Sequence, residues 1–345
     1  MALGTNHNTI TTGANYIPEL WSNEVIAAYK RATVMRNLVT MINHNGKKGD
    51  TIHIPNFTRG TASVKAASTQ VTLNTATHGV TNISINKHYE YSRLIEDLLD
   101  VQGLPTLRQQ YTDDAGYALA KQVDSDLHYL GATLQAGAIA AATLYEKAVI
   151  GSDGSTTFSG AANAGTGNGS ALSDVGLRQM IQTLDDQDVP EDGRALIVPP
   201  AERKNLMGIP RFTEQAYRGE GTTLKTGLIG DLYGIPVFIS TNCPWVHVAS
   251  ASSTQLANFS STTLSGAADA NYDAGYTIDF SASTDTKYRV GMLLHKSAIC
   301  LAEQMGVRSQ TQYKQEYLGD LFTADTIYGT GELRDTSGIC FVLPA

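Results

Sequence analysis

One stretch of this chain limits its fold more than any other. From Pro105 onward, Leu107, Tyr111, Ala115, Ala118, Leu119, Val123, Leu127, Leu130 and Leu134 recur at three- and four-residue steps. That spacing puts them along one face of an α-helix. Pro105 suits a helix start, and the pattern predicts a helix over 105–136, about 45 Å long. A helix of that length exceeds the width of a small core and acts as a spine on which other elements are laid.

The segments around it alternate differently. Ile52 and Ile54 alternate with Thr51 and His53 after the Lys47-Lys48-Gly49-Asp50 turn, the period of a half-buried strand. Residues 58–80 are rich in Thr, Ser and Ala, and Ile83, Ile85, Lys87, Tyr89 and Tyr91 read as one face of a returning strand. The result is a long hairpin over 47–91 with little of its own to bury, stable only when it lies on something else. Ile95–Leu99 reads as a short helical turn ended by Gly103. Ahead of the hairpin, Pro18 opens a helical pattern through Trp21, Val25, Ile26 and Tyr29 towards Arg36.

Beyond the spine, 151–171 is loop by composition. Ser173 is placed to cap a helix carrying Leu177, Met180, Ile181 and Leu184. Arg194–Val198 is a short apolar strand, Pro199-Pro200 starts a helix ending at Gly208, and Ile235–Ile239 is another buried strand. This alternation predicts an α/β unit. Residues 248–286, rich in Ser, Thr, Ala and Asp, read as an insertion, and strands return over 287–345. The class is α+β.

Composition narrows the function. The formal net charge is −8, and the first 29 residues contain no Lys or Arg, so no basic arm is available to grip phosphates. Charged residues make up only 17% of the chain, low enough that partners are expected to cover much of its surface. The three cysteines, Cys243, Cys300 and Cys340, are widely spaced, which predicts buried thiols in a reducing compartment. Met1–Ile10 has neither a charged n-region nor an apolar h-region, and no apolar run reaches membrane-spanning length, so a cytosol-like site of synthesis without membrane contact is expected.

Catalytic patterns are missing. There is no G-x-S-x-G, H-E-x-x-H or Walker-type loop, and the eight histidines are scattered. His88 and His128 are read as surface or satisfied polar residues. The run Asp185, Asp186, Asp188, Glu191, Asp192 lacks calcium-loop spacing and is read as a solvated helix end. The expectation is a non-enzymatic protein with no cofactor or metal.

The order of parts resembles the major capsid proteins of tailed bacteriophages, of the Hong Kong 97 type. Pro18-Glu19-Leu20-Trp21 with Glu24-Val25 is similar to their openings, and Tyr328-Gly329 followed by Glu332-Leu333-Arg334 to their endings. Arg194–Pro199 and Gly227–Val237 are similar to their axial domain. The resemblance implies an N-terminal arm (1–46), an extended hairpin loop (47–91) and a peripheral domain (92–171) with its spine helix (105–136). It further implies an axial domain (172–286, with the insertion 248–286) and a return to the peripheral sheet (287–345).

The resemblance also implies pentamers and hexamers of an icosahedral head enclosing double-stranded DNA without sequence-specific binding. The chain would then assemble in the host cytoplasm beside a separate scaffolding protein and a portal, and end in the virion. Interface candidates on this view are Trp21 in the arm, Arg59, Lys65 and Tyr89 in the hairpin, and Arg211, Arg218, Gly219, Gly221 and Lys225 in the axial domain. Some relatives close a Lys–Asn isopeptide bond; Lys65 stands where the donor would be, with no partner matched. Alternatives are an encapsulin-like cellular shell with protein cargo and, from another class, a secreted β-rich adhesin.

Overall fold

The computed structural model describes residues 33–44, 46, 48–57, 60, 62–71, 73, 78–97, 107–132, 134, 151–152, 154, 171–209, 230–250, 253–257, 263–264, 276–277 and 288–344. The first strands are β1 (Thr40–Asn43), β2 (Thr51–Phe57), β3 (His78–Ser84) and β4 (Lys87–Glu96). Helix α1 (Leu107–Gly131) follows, then α2 (Asp174–Asp186), β5 (Arg194–Val198), α3 (Pro200–Met207), β6 (Asp231–Leu232) and β7 (Ile235–Ile239). Next are β8 (Trp245–Ser250), β9 (Ser253–Ala257), β10 (Thr263–Leu264) and β11 (Tyr276–Thr277). The chain closes with β12 (Tyr288–His295), β13 (Ile299–Lys314), β14 (Gly319–Glu332) and β15 (Gly338–Pro344).

Two sheets carry the fold. The first has four strands in the order β1-β13-β14-β4. The second has seven, with β12 at its heart: β15 runs along one side over Tyr288–Leu294, and β5 and β8 share the other. β7 lies parallel to β5.

Alternation along β5 and β12 splits the core. Leu196, Val198 and Leu293 face α2 and α3, meeting Leu177, Met180, Leu184 and Leu206. Ile197, Met292 and Leu294 face the other way, meeting Leu127 of α1 and Tyr328 of β14. Nearer its start, α1 lays Ala115 and Leu119 on Phe322 and Ala324 of the four-stranded sheet. One helix is thus packed against both sheets, and the apolar stripe of the sequence is the reason.

Several expectations change. Helix α1 stops at Gly131, about 37 Å from its start, because the seven-stranded sheet arrives there: a Cβ on Gly131 would lie 2.7 Å from the Met292 sulfur. Ile95 and Glu96 are strand, not helical turn, since they pair with Asp320 and Gly319; Leu98–Gly103 lie outside the described residues. The returning strand of the hairpin is two strands. Ile83 and Ile85 pack on Cys300 and Ala302 on one side of the four-stranded sheet. After Asn86 the chain enters that sheet, and Tyr89 and Tyr91 face α1 on its other side. The 287–345 return divides as well: β13 and β14 join the four-stranded sheet, while β12 and β15 complete the sheet of the α/β unit. Met35–Asn37 is a single 3-10 turn, and the helical pattern before it lies outside the described residues.

Candidate subunit interface

Strands β2 and β3 pair in register from Thr51↔Ser84 to Phe57↔His78. Their base is anchored: Ile52 and Ile54 pack with Ile83 and Ile85, and the Ile85 amide donates to the Asp50 carbonyl at 2.7 Å. The other end leaves the body. Phe57 is 72% exposed, Val64 fully exposed and Leu73 88% exposed, with Val71 and Val80 also open. A soluble protein seldom strings apolar side chains along a projecting hairpin without covering them.

The interface candidates divide on this scaffold. Lys65 is exposed within the hairpin. Tyr89 is half-buried and turned inward, its ring stacked on Tyr328 at 5.9 Å between centroids. Trp21, Arg59, Arg211, Arg218, Gly219, Gly221 and Lys225 lie outside the described residues. The exposed apolar residues Phe57, Leu73 and Val80 were missed as candidates; their sequence signal is large apolar side chains set singly among Thr, Ser and Asn.

In α1 every residue from Asp124 to Tyr129 is buried, among them the polar Asp124, Ser125, Asp126 and His128. Asp124 Oδ1 accepts the amides of Val34 and Met35, each at 2.9 Å. Its Oδ2 accepts from Asn242 Nδ2 at 2.5 Å and lies 3.2 Å from His128 Nδ1. Burial pushes the Asp124 carboxyl up, but His128, Asn242 and the Met35 amide together hold it below the usual carboxylate range. His128 is therefore no surface residue, and its Nε2 has no hydrogen-bond partner among the described residues. Asp126 accepts from Tyr328 at 2.7 Å and Gln122 at 3.0 Å, with Lys87 Nζ at 3.1 Å.

Two ion pairs lie nearer the surface. Arg308 donates twice to Asp325, at 3.0 and 2.8 Å, with His88 Nε2 at 3.2 Å, and these partners hold the Asp325 carboxyl low against its burial. Arg36 meets Glu303 at 2.9 Å. A cavity of about 130 Å³ opens beside it, lined by Thr33, Leu119, Val123, Asp124, Val307 and Tyr328 among others. None of its lining groups is a nucleophile activated by a base.

Reactive chemistry is equally sparse elsewhere. Burial pushes the Cys243 thiol up to about 12 and Cys300 to about 11, so both stay protonated and inert. Of the acidic run, Asp185 pairs with Arg194 at 2.6 Å, and no metal-binding cluster occurs among the described residues.

Residues 94–290 match the family model described as phage capsid protein. The chain belongs to the phage capsid protein family. It is a structural protein of the virion rather than an enzyme. Capsid structures give the same fold over nearly the whole length. The chain is similar to a structure of Mycobacterium phage Che8, at 20% identity over 95% of this chain and 97% of that one, with a TM-score of 0.65. It is similar to the capsid of cyanophage P-SCSP1u, at 18% identity over 99% and 96% of the two chains, with a TM-score of 0.69. The capsid of Ralstonia phage GP4 matches at 13% identity, 99% and 98% coverage and a TM-score of 0.63. At such identities the likeness establishes the α+β capsid fold. No curated protein sequence matches the chain.

Proposed function

We propose that this capsid protein closes an icosahedral head from pentamers and hexamers, around double-stranded DNA. In this reading α1 is the spine of a peripheral domain, and α2, α3 and the seven-stranded sheet form the axial domain that meets its copies around five- and six-fold axes. The hairpin lies across a neighbouring subunit, and the N-terminal arm ties to another. Trp21, Arg59, Arg211, Arg218, Gly219, Gly221 and Lys225 remain interface candidates, with Lys65 on the hairpin; Tyr89 supports the wall from within.

One observation carries the reading: the hairpin leaves Phe57, Val64 and Leu73 exposed. A second copy is the partner most abundant at that surface. Many modest contacts of this kind, repeated over a closed shell, are far more stable together than any pair. The net charge of −8 lets enclosed DNA stay mobile. A scaffolding protein and a portal acting during assembly in the host cytoplasm complete the scheme.

The test is a photo-crosslinking amino acid at position 65. Irradiated assemblies should give dimers and longer ladders joined from the hairpin to a neighbouring subunit. Crosslinks confined within single chains would contradict the reading.

A further inference from the structure

We propose that Asp124 is the positioning residue that fixes the Val34–Asn37 turn against the long helix, by a carboxylate that Asn242 and His128 hold in place from the other side. The consequence for assembly rests on the arm contacting a neighbour, as proposed above; the latch itself does not.

The geometry divides the carboxylate between two duties. Oδ1 takes the amides of Val34 and Met35, the first backbone donors of the Met35–Asn37 turn. Such a turn leaves its leading amides without internal partners, and a carboxylate is the strongest acceptor for them. Oδ2 takes Asn242, which lies between β7 and β8, 118 residues away in sequence. His128 closes the third side from the next turn of α1, its Nδ1 2.7 Å from the Asp124 carbonyl. One side chain therefore joins the Val34–Asn37 turn, the long helix and the segment between β7 and β8.

Pairing of β1 with β13 begins only at Thr40, and among the described residues the Val34 and Met35 amides are taken by Asp124. Arg36–Glu303 is a surface pair with the arginine side chain 58% exposed, a weak tether. Met35 and Val39 are buried and fix where the turn sits, but apolar burial is non-directional and does not set the direction of the chain ahead of it.

The arrangement is also costly. His128 Nε2, Asn242 Oδ1 and Thr241 Oγ1 are buried without hydrogen-bond partners among the described residues. Replacing such a buried charged set by apolar residues of similar volume is often neutral or stabilising. The polar set is accounted for by the two arm amides, which only an acceptor at this place can satisfy.

The test uses the full-length, unassembled chain. In the wild type, the Val34 and Met35 amides should be strongly protected from hydrogen exchange; exchange at the rate of an open loop would overturn the proposal without any variant. Asp124→Ala should speed tryptic cleavage after Arg36 by about tenfold or more, while cleavage after Arg203 and Lys204 in α3 stays within about twofold. Asn242→Ala removes only the sheet side, so cleavage after Arg36 should stay slow. Equal acceleration at all three sites in Asp124→Ala would mean general destabilisation and would sink the latch. An Asp124→Ala chain that is cut selectively after Arg36 yet still closes normal shells would uphold the latch and remove the arm from the assembly account.

Discussion

The hydroxyl of Tyr328 donates to the carboxylate of Asp126 at 2.7 Å, joining β14 to α1 across 202 residues of sequence. Both residues are buried, and Lys87 from β4 shares the same carboxylate oxygen. This contact holds the helix at a fixed height over the four-stranded sheet. Tyr328→Phe keeps the ring and its stacking on Tyr89 but leaves the charged acceptor one donor short. The expected loss is about 1.5–3 kcal/mol of unfolding free energy, read by denaturant titration with an unchanged slope.

The hairpin predicts the opposite separation of effects. Phe57→Ala should change the stability of the isolated chain by less than about 0.5 kcal/mol, because the side chain is 72% exposed. With the hairpin lying across a neighbouring subunit as proposed, the lost contact would recur at every subunit, and shell formation should need roughly tenfold more protein. Light scattering against concentration, beside a thermal melt, distinguishes the two.

Gly329 sets how closely two layers approach. It lies in β14 where β3 crosses, and a Cβ there would meet the Ser84 carbonyl and, at 3.0 Å, Ile85 Cα. Both obstacles are backbone and cannot rotate away. Gly329→Ala should therefore destabilise by about 1–3 kcal/mol and expose the β2–β3 base, seen as faster hydrogen exchange at Ile83 and Ile85 than elsewhere.

Glu202 supplies a pH test with a definite sign. It is fully buried, accepting from the Leu172 amide at 3.0 Å and from Asn205 at 3.0 Å, and burial raises its pKa above the usual 4.5 against these two bonds. A carboxyl whose folded pKa is raised keeps its proton longer in the folded state, so stability falls as pH rises from the unfolded value through the folded one. Glu202→Gln has no such titration. Wild type minus variant stability should decline from about pH 4.5 upward and then level off; a difference constant with pH would contradict the burial argument.

Much of this fold is legible in the sequence where local chemistry decides it. Ser173 caps α2 by accepting the Gly176 amide at 3.1 Å, Pro200 opens α3, and Arg194–Val198 is the buried strand its apolar run predicts. The failures share a cause. Ile95 and Glu96 are held as strand by a partner more than 200 residues away, and β12 and β15 choose the seven-stranded sheet through long-range pairing that no local pattern encodes. At the candidate interface the outline of a hairpin is legible from its turn and alternation. The reversal of faces between Ile85 and Tyr89 is not, and neither is the Asp124 latch, since its polar residues simply interrupt an apolar stripe.

Electron microscopy of the purified protein, alone and with a candidate scaffolding partner, addresses the central claim most directly. Closed icosahedral shells, or free rings of five and six subunits, are the predicted result. A monodisperse monomer under every assembly condition would contradict it.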